Sequence, residues 1–254
     1  MRIRVFDTSH DAGIYAATLA EMVIESRQQP VLGLATGTTP IPFYDALAAL
    51  HECGLDMSRA VTINLDEYIG LPAGHEQSYR AFMQRHLFSR VNLDPQHAHV
   101  PDGMAADLEA ECARYDGVIR RHPIDLQILG IGINGHIGFN EPDHLLMSKT
   151  HVVRLRKETV ESNARFFPCV GDVPKEAITM GVQAILHAER IVLMAFGEEK
   201  AAIVAEAVLG NVRTDVPASI LQLHRNVTVV LDRASALRLR GRIDRDGTPS
   251  VRMS

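Results

Sequence analysis

Five short apolar runs punctuate this chain, at Pro30–Ala35, Ala60–Leu65, Asp125–Leu129, Arg190–Phe196 and Val227–Leu231, and each reads as a buried strand. The stretches between them carry helical spacing. Leu19, Met22 and Val23 recur on one face of Asp11–Arg27, and similar patterns run from Pro40 towards Cys53 and over Ser78–Phe88, Met104–His122 and Glu198–Leu209. Strands that alternate with helices predict an α/β fold in which an open, mostly parallel sheet is covered on both faces. The signals are even from end to end, with no repeat, low-complexity tract or long linker, so residues 1–254 are expected to form one domain.

Charge and cysteine usage narrow the partners. A formal net charge of -5 and a pI near 6.2, with no concentrated Lys/Arg helix or arm, argue against nucleic acid as the main partner. Any anionic substrate must be held by a few placed cations. Cys53, Cys112 and Cys169 are odd in number and far apart, without a C-x-x-C, and read as reduced thiols. The start, Met1–Asp7, lacks a signal-peptide pattern, and no apolar run approaches the ~20 residues of a membrane span, so a cytoplasmic protein is expected. Twelve histidines bring no H-E-x-x-H pattern or convincing ligand spacing, and no metal is expected. The Arg-rich segment 238–254 reads as a flexible, solvated tail; a contact within a homo-oligomer is the alternative.

In parallel sheets ligands bind beyond the carboxyl ends of the strands, and three such ends carry chemistry here. The first to consider is Gly130–Pro142, which follows the strand at Leu126–Leu129. Gly130, Gly132 and Gly135 satisfy G-x-G-x-x-G, but the dinucleotide reading requires a helix to open at once, and Gly138, Asn140 and Pro142 oppose one. Asn134-Gly135 between Ile131, Ile133, Ile137 and Phe139 also suits a two-residue hairpin turn, although Gly130, Gly132 and Gly138 would weaken its strands. The third reading is a functional loop. His136 can exchange protons near neutral pH, and Asn134 or Glu141 could orient it by hydrogen bonding.

Thr36-Gly37-Thr38-Thr39, leading to a helix with Pro40 in its first turn, offers backbone N–H groups, hydroxyls and a positive helix end to a phosphate. It lacks the Gly-Lys-[Ser/Thr] ending of a nucleoside triphosphate loop, and a capped helix start explains it equally well. Asp66 and Glu67 follow an apolar strand and should face opposite ways, so one can enter a cleft and act as a base if desolvated. Both could instead end a strand in solvent. No G-x-S-x-G is present, and Cys169 lies in no activating motif, which disfavours covalent catalysis.

Several segments taken in order resemble the glucosamine-6-phosphate deaminase family: Leu32–Pro40, Asn64–Leu71, Asn134–Pro142, Ser162–Phe167, Pro174–Gly181 and Pro217–His224. The likeness covers nearly the whole chain and implies a modified Rossmann-like open sheet that binds no dinucleotide. It also implies conversion of D-glucosamine 6-phosphate and water to D-fructose 6-phosphate and ammonium, with no cofactor. By resemblance, His136, assisted by Asn134 and Glu141, serves ring opening, Asp66 removes the C2 proton, and Thr36, Gly37, Thr38, Thr39, Arg165 and Lys200 hold the phosphate.

Two positions depart from part of that family. Asn134 stands where many members carry aspartate, which leaves a neutral amide beside His136. His151 and Val153 stand, by ungapped alignment, where allosterically activated members carry basic residues, so activation by N-acetylglucosamine 6-phosphate is not expected. The rival readings are a galactosamine-6-phosphate deaminase, a 6-phosphogluconolactonase, which lacks the Phe139–Pro142 continuation, and a non-catalytic sugar-phosphate sensor. A sensor would lose Asp66 or His136 and carry an additional DNA-binding module.

Overall fold

The computed structural model of the chain describes residues 1–239 and Gly241. Its elements run β1 (Arg2–Phe6), α1 (Ser9–Ser26), β2 (Val31–Leu34), α2 (Ile41–Glu52), β3 (Val61–Asn64), β4 (Asp66–Tyr68), α3 (Tyr79–His86), β5 (Ala98–His99) and α4 (Leu108–Arg121). They continue through β6 (Leu126–Leu129), β7 (His151–Arg154), α5 (Lys157–Asn163), β8 (Glu176–Thr179), α6 (Val182–His187), β9 (Arg190–Ala195), α7 (Ala201–Leu209) and β10 (Val227–Asp232). The expected tail at 238–254 lies outside the described residues except for Arg238, Leu239 and Gly241; the first two end a 3-10 turn at Leu237–Leu239.

Seven strands form a parallel sheet in the order β1-β10-β9-β6-β2-β3-β5. Buried side chains of α1, α2 and α3 pack with Leu32, Leu34, Ile128 and Val230 on one face. Those of α4, α6 and α7 pack with Ile63, Leu129, Leu193 and Val229 on the other. The chain winds one way from β2 and the other way from β6, so the order reverses between these two neighbours. A crevice opens at such a reversal, beyond the strand ends. The two loops that leave β2 and β6 are the Thr36–Thr39 loop and the glycine loop.

The expected alternation misses a second sheet. β4, β8 and β7 form a three-stranded antiparallel sheet, with Asp66 opposite Thr179 and His151 opposite the same residue from the other side. The chain changes sheets at Leu65, whose N–H donates to Leu34 O at 3.1 Å while its carbonyl accepts from Met180 N at 2.7 Å. Asp66–Tyr68 therefore does not trail into solvent after β3. It begins a new sheet whose own core gathers Tyr68, Phe139, Leu155, Phe167, Val173 and Ala177. No described helix is long and apolar enough to cross a membrane.

Candidate active site

A cleft of about 350 Å³ lies over the reversal and is lined by Thr36, Gly37, Thr38, Thr39, Asp66, His136, Arg165 and Lys200 among others. Its size suits a ligand of a few hundred cubic ångströms. Its floor is the glycine loop, which is neither a dinucleotide loop nor a simple hairpin. No helix follows β6 directly. Instead Gly135 N donates to Gly132 O at 3.0 Å and Gly132 N to His136 O at 2.9 Å, closing one turn, and an isolated bridge joins Ile137 to Asn140.

Two of the glycines are required by what packs on them. A Cβ on Gly132 would stand 2.3 Å from His136 Cε1, inside the imidazole ring. Gly138 has φ +57°, and a Cβ there would meet Thr179 Oγ1 at 3.1 Å and Asp66 Oδ2 at 3.3 Å. The spacing that imitates a dinucleotide fingerprint thus lets the loop close on its own histidine and on the carboxyl of β4. The loop is anchored below by Asn140, whose Nδ2 donates to Ile137 O at 3.0 Å and Met180 O at 2.9 Å.

Asp66 is 5% exposed. Burial pushes its carboxyl up to about 8, the neighbouring Glu67 carboxylate adds to the rise, and the Phe139 N–H opposes it. Glu141 goes the other way: burial raises it, but His136, Thr159 and Asn134 together hold it at about 2. Two carboxyls in one site are thus driven to opposite protonation states, the arrangement expected where acid and base chemistry must coexist.

Asn134 does not bond the His136 ring. Its Oδ1 accepts the main-chain N–H of His136 at 3.2 Å, and its Nδ2 donates to Glu141 Oε2 at 2.8 Å. Glu141 Oε2 faces His136 Nδ1 at 3.5 Å, an ion-pair separation, and that nitrogen has no hydrogen-bond partner among the described residues. The amide therefore braces the carboxylate, and the carboxylate addresses the imidazole.

The Thr36–Thr39 loop enters α2 through Pro40, with no side chain capping the helix; Ile41 N already donates to Thr38 O at 3.4 Å and Pro42 has no N–H, so it is chiefly the loop itself, which lines the cleft, that an anion would meet. Arg165 lies in a 3-10 turn, Ala164–Phe166, with its guanidinium 4.8 Å from the Phe166 ring centroid. Lys200 precedes α7 and donates to Ile131 O at 2.8 Å, tying its side of the cleft to the glycine loop. Burial lowers the Lys200 ammonium, Glu199 raises it, and Arg165 lowers it again.

Every candidate residue except Asn134 and Glu141 lines the cleft, and those two stand behind His136. Sequence reasoning missed Tyr79, Thr159 and Asn163. Tyr79 and Asn163 line the cleft and each reach Tyr68, Asn163 through an Nδ2 to hydroxyl bond of 2.9 Å. Ser162-Asn163, beside Arg165, was the one signal that could have pointed there. Among the described residues no group of three or more His, Cys, Asp or Glu is placed to hold a metal ion.

Comparison with known proteins places this geometry in a family. The profile of glucosamine-6-phosphate isomerases/6-phosphogluconolactonase matches residues 7–230. A glucosamine-6-phosphate deaminase of Halothermothrix orenii is 48% identical over 238 residues, 93% of this chain and 99% of its own length. One from Streptococcus equi subsp. zooepidemicus is 50% identical over 238 residues, 93% and 98% of the two chains. A solved monomeric glucosamine-6-phosphate deaminase superposes with a TM-score of 0.92 at 42% identity, covering 94% of this chain and all of that one. The 6-phosphogluconolactonase of Thermotoga maritima, at TM-score 0.73 and 21% identity over 91% of this chain and 98% of its own, shares the fold. With a profile match across most of its length and close relatives matched almost end to end, the chain belongs to the glucosamine-6-phosphate isomerase/6-phosphogluconolactonase family.

Proposed function

We propose that this chain is a glucosamine-6-phosphate deaminase, converting D-glucosamine 6-phosphate and water to D-fructose 6-phosphate and ammonium in amino sugar catabolism. The observation that carries the reading is the buried Asp66 carboxyl in a cleft that also holds His136 and two cations. The phosphate lies against the Thr36–Thr39 loop and the amino end of α2, with Arg165 giving a planar, bidentate contact and Lys200 a point charge. His136 takes the anomeric hydroxyl proton and returns one to the ring oxygen, opening the pyranose. Glu141, held ionised and braced by Asn134, stabilises the imidazolium formed in between.

In the open-chain aldehyde, ionised Asp66 removes the C2 proton. The C–H electrons form the C1=C2 bond, and the carbonyl oxygen takes a proton, giving an enolamine. Reprotonation at C1 leaves an iminium at C2. Water adds there, the C–N bond breaks, and the nitrogen departs as ammonia, which takes up a proton as ammonium. The sequence is redox-neutral, so it calls on no electron-carrying cofactor.

The chain would work as a single catalytic domain, in the cytoplasm, with a small phosphorylated amino sugar as its partner; the likeness to a monomeric relative gives no support for a homo-oligomer. His151 and Val153 on β7 supply no cation at neutral pH, since burial lowers the His151 imidazole, which supports an enzyme without an amino-sugar effector. The test is release of fructose 6-phosphate and ammonium from glucosamine 6-phosphate, with and without chelator, beside galactosamine 6-phosphate and 6-phosphogluconolactone. Turnover of galactosamine 6-phosphate or the lactone in preference would overturn the assignment.

A further inference from the structure

Glu67 is a buried carboxylate for which the reaction just described has no use. It is 3% exposed, yet it makes no ion pair with a lysine or arginine among the described residues. Its bonds are all to main chain: Oε1 accepts from Tyr68 N at 2.9 Å and Tyr79 N at 2.8 Å, and Oε2 from Arg80 N at 2.9 Å. Tyr79 and Arg80 are the first two residues of α3, whose N-cap Ser78 takes the next free N–H, that of Ala81, at 3.1 Å. The loop at Gly103 seals the carboxylate in, so closely that a Cβ there would stand 1.9 Å from Tyr68 O and 3.4 Å from Glu67 Cγ.

Burying a carboxylate is costly, and a helix start in solvent does not need one. What Glu67 fixes lies in the cleft. Tyr79 lines it, with its ring stacked on Phe139 at 5.9 Å and tilted against Tyr68 at 4.8 Å. Asp66, the preceding residue of β4, projects from the strand in the opposite sense.

We propose that Glu67 is a positioning residue of the reaction: it anchors the amino end of α3 so that Tyr79 is held in the cleft wall, and it stands as a fixed anion behind Asp66. The inference rests on the deaminase reading for its kinetic part only. The groups facing this pair are Arg80 of α3, which acts on Glu67, and the buried phenols of Tyr44 on α2, Tyr115 on α4, Tyr68 and Tyr79, which are neutral at working pH. Three N–H donors and the positive helix end favour the anion of Glu67 against the burial that pushes its carboxyl up. Within this setting Glu67 is the charge that acts on Asp66, and it makes the ionised Asp66 a stronger base.

The experiment uses full-length protein carrying Glu67→Gln or Glu67→Asp. Titration of Asp66 is read without substrate by carbon NMR of labelled aspartate, assigned with Asp66→Asn. Removing the charge should lower the Asp66 midpoint by about one pH unit and move the acidic limb of kcat/KM with it. Glu67→Asp keeps the charge but not the reach, so its midpoint should stay near wild type while KM rises several-fold. A folded Glu67→Gln with wild-type midpoint and wild-type KM overturns the proposal. Should Glu67→Gln not fold, hydrogen exchange in Glu67→Asp decides: the Tyr79 and Arg80 amides should exchange roughly tenfold faster, and unchanged protection overturns the anchor. If the wild type releases no ammonium, the deaminase reading fails while the titration and exchange arms still judge Glu67.

Discussion

Replacing Asp66 with Asn should reverse the sign of a trade between activity and stability, by an amount that follows from its burial. The carboxyl moves from an ordinary 3.8 to about 8 in the folded protein. At ~1.36 kcal/mol per pH unit, a displacement of about four units means that the folded chain disfavours the charged form by roughly 6 kcal/mol. Between about pH 4 and 8 the group is protonated when folded and ionised when unfolded, so folding takes up a proton. The stability it contributes is present below the unfolded pKa and is lost as pH rises, at about 1.4 kcal/mol per unit, until the folded pKa is passed. Asn carries no such charge. Urea unfolding of wild type and Asp66→Asn at pH 5 and pH 7, followed by circular dichroism, should therefore show the difference between them shifting by roughly 3 kcal/mol in favour of the variant at the higher pH. The same variant should lose turnover by roughly a hundred- to ten-thousandfold while still binding substrate, because the base is gone and the phosphate contacts remain. Parallel stability curves across this range would refute the buried, proton-retaining carboxyl, whatever happens to the rate.

The free enzyme should show kcat/KM falling about tenfold per pH unit below an apparent pKa of about 8, set by the ionisation of Asp66; a flat profile down to pH 6 would remove Asp66 as the base. Arg165→Ala should weaken phosphorylated ligands by roughly 1.5 to 3 kcal/mol in calorimetry, and equal binding of a phosphate analogue by both proteins would reject its placement. Asn134→Asp would set a second carboxylate where the amide now bonds Glu141 at 2.8 Å, so the two carboxyls should share a proton and Glu141 should lose the donor that braces it. Turnover of the cyclic sugar should then fall several-fold and that of an open-chain analogue less; an equal effect on both would detach Asn134 and Glu141 from ring opening. Gly132→Ala puts a methyl 2.3 Å from His136 Cε1 and should cut kcat with little change in fold, whereas wild-type turnover would mean that the imidazole is free to move.

The alternation of buried strands and amphipathic helices was legible in the residues alone, because period and run length are local properties. Five of the seven parallel strands were visible this way. β1 and β5 were not, the first because Arg2–Phe6 is partly exposed at the sheet edge, the second because it has only two residues. The ordered motifs likewise pointed to Asp66, His136, Glu141 and the phosphate loop as one site. Tertiary structure alone decided how they act. In the antiparallel sheet of β4, β8 and β7, Asp66 pairs with Thr179 from over a hundred residues further along the chain, and neither period nor composition encodes which strand will accept which. That sheet, not a strand end in solvent, is what buries Asp66 and turns an ordinary carboxyl into one that titrates near 8. Side-chain direction was equally hidden: spacing brought Asn134 near His136, but the turns at Gly132 and Gly138 aimed its amide at Glu141 instead. Local sequence can place a residue on a loop, whereas desolvation and hydrogen-bond partners are properties of what the rest of the chain packs around it.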